Sequence, residues 1–500
     1  MKASLRKKAG LVICGLVLVS ASFGYAKGKA GQPLNITAVC PMYQTQPIRS
    51  NGNKALELIE KNTNAQFKVD WVPKPNYTDK LNVMFAANQL PMVTVAETNM
   101  VKSSNIYTAI KHGMFWDVTS LIRRYPNLKK LYGNKLVIRN ISIDGKLYGL
   151  PRLRPLVRTG LVYRKDWLER LKLKPPTNLD ELYNVAKAFT LNDPDGNGKN
   201  DTIGLDYADI SAGSPGWNGI DILVCSLGGF NQWGVQDGKL APAFSTNKYI
   251  QVLSLFRKLY NEKFMNQDFM LAKGSRQYAS FKNGKAGMFL GTVDSLTNGS
   301  FATLLDIVPD ANIALAPSFK GPKGKKINAG PGSNGLVLFS KSSVKRVAEL
   351  KAILAVFDKM ASPQMTNLLN YGLEGESYVM ENGLPKIKNR DLINENIGDL
   401  INLFVTPPFS EIVQPTALGN RWRLWEKENA KYAVANICEP YTSATQAQLG
   451  GELEKQLMDA RIKFVMGAID EAGYKKAVTN WYHNGGTKII AEYTEQYRKK

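Results

Sequence analysis

Residues 144–189 read DGKLYGLPRLRPLVRTGLVYRKDWLERLKLKPPTNLDELYNVAKAF. Gly160–Arg164 is a short apolar run with strand character, and it leads directly into YRKDWL. Pro175-Pro176 stops that element, because proline cannot continue a helix and restricts the residue before it. Thr177 is then placed to cap a new helix, with Asp180 three residues on. Leu179, Leu182, Tyr183, Ala186 and Phe189 recur at helical spacing and form one apolar face, which is core.

The same alternation extends both ways. Leu34–Val39, Phe67–Val72 and Met92–Ala96 read as strands, with helical patterns at Lys54–Lys61 and Tyr77–Asn88 between them. This rhythm predicts an α/β body with a mostly parallel sheet. Ala286–Leu290, Ile313–Ala316 and Gly335–Phe339 are later strands. Val347, Leu350, Leu354 and Phe357 mark a long helix that ends near Ser362-Pro363.

Just after the capped helix, residues 193–204 read DPDGNGKNDTIG. Asp193, Asp195, Asn197 and Asp201 fall at positions 1, 3, 5 and 9 of a calcium loop, with glycine at position 6 and the Lys199 carbonyl at 7. A hard cation needs six or more oxygens, and alternate residues of a tight loop can all point inward. Position 12 is Gly204, so the loop is not a complete EF-hand. The same composition also makes a solvated Asp/Asn/Gly turn. Bound Ca²⁺ here is expected to be a structural brace rather than a sensor, since the chain has no second loop to pair with it.

Lys2, Arg6, Lys7 and Lys8 precede an apolar run from Leu11 to Phe23, too short to span a bilayer, and Gly24-Tyr25-Ala26 offers a cleavage site after Ala26. Residues 1–26 therefore read as a signal peptide. Cys14 follows a bulky Ile13 and makes no convincing lipobox, so the expectation is a free periplasmic or secreted protein. Cys40, Cys225 and Cys438 remain, which is no disulfide framework: one bridge or three buried thiols both fit. The net charge of +23 falls to +19 without the four basic residues of the leader. In an exported protein that balance points to anionic glycans, envelope polymers or head groups, or simply to a basic soluble surface. The charges are spread along the chain, which weighs against nucleic acid and membrane.

The motifs GMFWDVTSLIRRYPN (113–127), LYNEKFMNQDF (259–269), FKNGKAGMFLG (281–291) and YGLEGESYVMENG (371–383) follow the family order. With YRKDWL and the DPDGNGKND loop, the chain resembles the family 1 extracellular solute-binding proteins of carbohydrate ABC importers. Within them it is most similar to the subgroup that includes LipO and alginate-binding proteins. Lys263 departs from the pattern where relatives carry glycine. The resemblance implies a type II periplasmic-binding fold, in which two α/β lobes are joined by a three-segment hinge and close on ligand by hinge bending. It implies a first lobe of 27–151 plus 318–375 and a second of 152–312 plus 376–500. Crossings are expected near Pro151–Gly160, Ile313–Pro317 and Tyr371–Gly383.

Sugars offer flat CH faces ringed by hydroxyls, so their sites combine aromatic platforms with planar hydrogen-bonding groups. Trp217, in GSPGWNG, is the leading platform. Trp422 and Trp425 share one helix face at i, i+3, a spacing that also suits core packing. Arg152, Arg154 and Arg158 flank the first crossing, where guanidinium forks would grip carboxylates. Salt bridges within the hinge are the equal alternative. Asp294 would accept from hydroxyls, Tyr43 begins a cleft loop, and Tyr378 lies beside Glu376 in the family motif near the third crossing. A secreted glycan-active enzyme and a basic envelope-polymer binder are the competing classes. Only His112 and His483 are present, and no HExxH, GxSxG or CxxC motif supports catalysis. The expectation is a non-enzymatic, monomeric receptor that passes an oligosaccharide, uronate-containing if the arginines face it, to ABC permease subunits.

Overall fold

The computed structural model describes residues 32–49, 52–101, 104–208, 219–271, 278–293, 302–408 and 411–499. Two main sheets are built from β1 (Leu34–Met42), β2 (Ala65–Pro73), β3 (Val93–Ala96), β4 (Gly149–Leu153), β5 (Thr159–Arg164), β6 (Ile203–Asp206), β7 (Ala286–Thr292), β8 (Ile313–Leu315) and β9 (Ser333–Phe339). The helices used below are α1 (Lys54–Thr63), α2 (Tyr77–Ala86), α3 (Lys135–Ile141), α4 (Leu179–Leu191), α5 (Val347–Met360), α6 (Ala417–Asn429), α7 (Ala444–Val465) and α8 (Thr487–Arg498).

The first sheet runs β2-β1-β3-β9-β4 and the second β8-β5-β7-β6. β1, β2 and β3 are parallel, as the βαβ rhythm predicts, but β9 is antiparallel to both β3 and β4. In the second sheet β5 is antiparallel to β7 and β8, and β6 is parallel to β7. The sheets are thus mixed rather than mostly parallel. The cause is the path of the chain. It leaves the first body at the end of β4 and returns at that same end as β9, so β9 must run the opposite way.

Most expected elements form close to their expected bounds. The α4 cap lies one residue later than expected: the Asn178 side chain accepts from Glu181 N, while Thr177 N and Oγ1 donate back to Glu181 Oε2. This satisfies the orphan amides of the first turn. Leu182, Ala186 and Phe189 are buried as expected, and Tyr183 lies at the margin. In α5 the stripe shifts: Leu350, Ile353, Leu354 and Phe357 are buried, but Val347 is exposed at the first turn. Cys40, Cys225 and Cys438 are buried free thiols.

One hydrophobic core gathers Ile36 to Leu150 and Leu336 to Val405. A second gathers Val157 to Ile327 and Cys438 to Tyr493. A smaller cluster against the second sheet holds Phe281, Phe289 and Trp422. The chain passes from the first core to the second between β4 and β5. Its other two passages lie elsewhere than at Ile313–Pro317 and Tyr371–Gly383. Phe319 and Ile327 pack in the second core, and Ala329 N donates to Val434 O at 2.9 Å, so the return to the first body comes just before β9 rather than near Ile313–Pro317. Ile393, Leu400, Phe404 and Val405 pack in the first core, so the last exit follows Val405 rather than Tyr371–Gly383. Boundaries at 318 and 376 cut through these packed segments.

Gly335 holds β9 close to β3. Its φ is +85°, and a Cβ there would stand 1.9 Å from the Ala96 carbonyl oxygen. Gly335→Ala is expected to lower stability by roughly 2 kcal/mol or more, through combined backbone strain and overpacking. The urea midpoint checks this; an unchanged midpoint would show that the sheet end relaxes freely.

Candidate functional site

Strand direction places the site. The C-terminal ends of β1, β2, β3 and β4 and the start of β9 lie on one edge of the first sheet. The start of β5 and the ends of β6, β7 and β8 share one edge of the second. The first crossing joins these two edges, so they border one interlobe cleft. In open α/β sheets, ligands bind outside the carboxyl ends of the strands, where the strand order switches.

On the first edge, Tyr43 follows β1, Lys74 follows β2 and Glu97 follows β3. The Tyr43 hydroxyl donates to Glu97 Oε1, and the Lys74 ammonium pairs with Glu97 Oε2. That ammonium also lies 6.0 Å from the centre of the Tyr43 ring. Tyr43 is 48% exposed, leaving its ring open to the cleft edge. Burial and the Arg152 charge pull the Lys74 ammonium below its ordinary pKa.

A polar layer supports this edge. Asp399 Oδ2 accepts from the backbone amides of Tyr43 and Gln44, both at 2.9 Å. Asn402 donates to Asp399 Oδ1 at 2.9 Å and accepts from Arg152 at 2.7 Å. Arg152 also donates to the Asn334 carbonyl at 3.2 Å. It is only 2% exposed, so its fork ties β4 to the segments beneath the site and does not open to ligand. Arg152, Arg154 and Arg158 do not present their forks together, because the strand breaks between β4 and β5. Arg154 and Arg158 instead meet at a small hollow with Thr159 and 330–333, at the hinge end of both sheets. Arg154 still lies within electrostatic reach of the Tyr43 hydroxyl.

Trp422 is fully buried against Phe289 and Ile313, and is core. Trp425 donates Nε1 to the Ala316 carbonyl at 2.8 Å and lays its ring over Gly160, where a Cβ would come within 2.9 Å. The two rings do share a face of α6, but they seat that helix on the second sheet. Tyr378 is buried with its ring 5.4 Å from Tyr371, in a small cluster with Ile412, and the third crossing is not there. Trp217 and Asp294 lie outside the described residues. Glu97 and Lys74 were not singled out from sequence. The logic that marks Tyr43, a polar residue just past a strand, applies to both.

In loop 193–204, Asp193 accepts from the amides of Asn197 and Gly198, at 3.0 and 2.9 Å. The Asn197 side-chain amide donates to both Asp195 Oδ2 and Asp201 Oδ1 at 3.0 Å. Two carboxylates therefore converge on one point. Lys285 pairs with the other oxygen of Asp201 at 2.6 Å. Burial and the adjacent Asp193 push the Asp195 carboxyl upward. A Cβ on Gly204 would stand 2.2 Å from the Ala186 carbonyl, so no acidic side chain fits at position 12. Among the described residues, no group of three or more His, Cys, Asp and Glu is gathered as a metal cage. The donor set of Asp193, Asp195, Asn197, Asp201 and the Lys199 carbonyl suits Ca²⁺ in kind, but here it is closed on itself by hydrogen bonds.

Two α/β bodies joined by three crossings, with polar groups at facing sheet ends, define a two-lobed binding protein. The chain belongs to the bacterial extracellular solute-binding proteins, whose family model matches residues 46–366. It is 36% identical over 483 residues to the polygalacturonan/rhamnogalacturonan-binding protein YtcQ of Bacillus subtilis, covering 95% of this chain and 94% of that one. It is 32% identical over 512 residues to the lipoprotein LipO of the same organism, covering 100% and 99%. Among solved structures, an HMO-binding ABC-transporter solute-binding protein of Bifidobacterium longum infantis matches with a TM-score of 0.73 at 17% identity, over 93% of this chain and 99% of that one. An EF-hand mutant of the Streptococcus pneumoniae binding protein FusA matches with a TM-score of 0.65 at 18% identity, over 93% and 99%. These likenesses bear out the family resemblance and the two-lobe fold. No helix among the described residues is long and apolar enough to cross a membrane.

Asp206, at the cleft end of β6, is 1% exposed and accepts from Phe281 N at 2.9 Å. Burial pushes its carboxyl from 3.8 up to about 6. The folded state then binds this proton more tightly than the unfolded state does. The resulting stability is full below 3.8 and is lost as pH rises through about 6. The loss is at most about 3 kcal/mol. Urea midpoints for wild type and Asp206→Asn should diverge over that window, with wild type weakening as pH rises. Parallel curves would show that Asp206 titrates normally.

Proposed function

We propose that the chain captures a uronate-bearing oligosaccharide in the interlobe cleft and delivers it, unaltered, to the permease subunits of an ABC importer. It works as an exported monomer, freed by cleavage after Ala26. The supporting observation is the open Tyr43 ring with Lys74 beside it and Arg154 within electrostatic reach, Arg158 lying next to Arg154 at the hinge. Cations flanking an aromatic ring suit a sugar that carries a carboxylate. Full-length similarity to a polygalacturonan/rhamnogalacturonan-binding protein points the same way. Glu97 supplies an acceptor for hydroxyls, and ligand must compete with Lys74 and Tyr43 for it.

Thermal unfolding against oligogalacturonides and neutral oligosaccharides tests the reading. At about 100 times Kd a ligand adds roughly 2.7 kcal/mol. Arg158→Ala should remove about 1.5–3 kcal/mol of acidic-sugar binding, the worth of a charge-assisted hydrogen bond. Stabilisation by neutral sugars alone would overturn the acidic assignment, and a shortened sugar recovered after incubation would overturn the non-enzymatic one.

The loop 193–204 holds Ca²⁺ as a static brace in this reading. Asp193, Asp195, Asn197, Asp201 and the Lys199 carbonyl would hold the ion, and Asp201 would give up its pairing with Lys285 to do so. The EF-hand named for the FusA structure supports it. Calcium should raise the melting midpoint and EGTA should lower it, with both effects lost in Asp195→Asn. A midpoint indifferent to calcium would leave the loop a hydrogen-bonded turn.

A further inference from the structure

Away from the sheet ends, a groove of about 1170 Å³ runs between the first body, from Ile122 to Leu147, and the C-terminal segment of the second, at Tyr441 and Lys499. It exceeds the usual size of a small-molecule site. Its floor is apolar, with Ile122, Ile138 and Leu147, and its rim is basic.

Arg123, Lys129, Lys135 and Arg139 all line the groove, are exposed, and form no ion pair among the described residues. Lys499 lines the opposite side and pairs with Glu495 at 2.6 Å. The one acidic residue in the lining, Asp144, is already held by Lys111 at 2.5 Å. Arg139 stands close enough to the Tyr441 hydroxyl, on the other body, to act on it electrostatically. Four like charges with no counter-charge repel one another within a Debye length, and a bound polyanion would relieve that.

The groove neighbours the hinge without merging with the cleft. A hollow of about 260 Å³ shares Tyr132 and Ile138 with the groove, and Arg154 and Gly332 with the hinge hollow that also holds Arg158. The connecting hollow is lined by Glu411 and Glu426 as well as Arg154 and Lys427, so the unbalanced positive charge belongs to the groove itself.

We propose that this groove is a second carbohydrate site, taking carboxylate-bearing sugar residues of an acidic glycan, separate from the cleft. It rests on the acidic-ligand reading above. The apolar floor takes the CH faces of pyranose rings, and the basic rim takes their carboxylates. A glycan too long for the cleft is then held at two places.

The test is calorimetric titration of the mature protein with short oligogalacturonides at low and high salt. Wild type should bind two equivalents, the second weakening steeply with salt. Lys135→Glu/Arg139→Glu should lose the second and keep the first within about twofold, as expected for distant sites. Lys129→Gln/Lys135→Gln should weaken the second without charge reversal, which guards against misfolding, and unchanged melting midpoints confirm that both variants fold. Absence of the salt-sensitive equivalent from wild type, or its persistence in the Lys135→Glu/Arg139→Glu variant, would overturn the groove. Failure of the cleft reading looks different: the tight equivalent is missing, or is taken by neutral sugars and is unaffected by Arg158→Ala.

Discussion

The structure depends on one short pairing at the hinge. Arg154 N donates to the Gly332 carbonyl at 2.9 Å, and Gly330 N donates to the Leu156 carbonyl at 2.7 Å. These bonds run the first and second crossings antiparallel, side by side. A single connecting strand would leave two bodies free to rotate about it. Two paired strands restrict the motion to bending, so the sheet ends stay opposed while the gap between them changes. Thr159 adds a side-chain bond to Asn328 at 2.9 Å where the pair enters the second body. The reversed direction of β9, and so the mixed character of the first sheet, follows from this pairing.

A binding edge that must face solvent needs support from behind. Here the support is polar and buried. Arg152, Asp399 and Asn402 form a chain of hydrogen bonds that fixes the backbone of Tyr43 and Gln44. A guanidinium taken out of water is tolerable only when its protons are matched, and two of them reach acceptors in Asn334 and Asn402. The same logic holds Asp206 in the second body, where a backbone amide of the short helix Ala279–Lys282 meets the carboxylate. Each edge thus has a buried ionisable group, held by hydrogen bonds, fixing nearby backbone.

This division explains what could be read from sequence. Strands and helices announced themselves by period, so β1–β3, α1, α2 and α4 were legible within a few residues. The family order fixed the two-lobe plan. What was not legible depended on partners distant in the chain. Arg152 and Arg154 are two residues apart in one motif, yet one is sealed inside the first body and the other lines the hinge, because the strand ends between them. Trp422 and Trp425 share a helix face as their spacing requires, but spacing cannot say whether that face meets ligand or the second sheet. The last crossing moved from Tyr371–Gly383 to beyond Val405 because Ile393, Leu400 and Phe404 find the first core, a contact no local pattern records.

The loop at 193–204 shows how a departure from a motif carries structural content. Gly204 stands where a complete EF-hand has its last acidic ligand, and it is there because the Ala186 carbonyl of α4 leaves no room for a side chain. Around it, Thr202 Oγ1 donates to the Phe189 carbonyl and Gly204 N donates to Thr190 Oγ1. Ile203 N donates to Lys285 O at 2.9 Å, one residue before β7. The end of the loop is therefore pinned to α4 and to the neighbouring strand at once. A sensor needs helices free to swing when the ion binds, and this anchoring removes that freedom. What it sets instead is where β6 begins. The strand is only four residues long, so fixing Ile203 fixes Asp206, and with it the edge of the second body that faces the cleft.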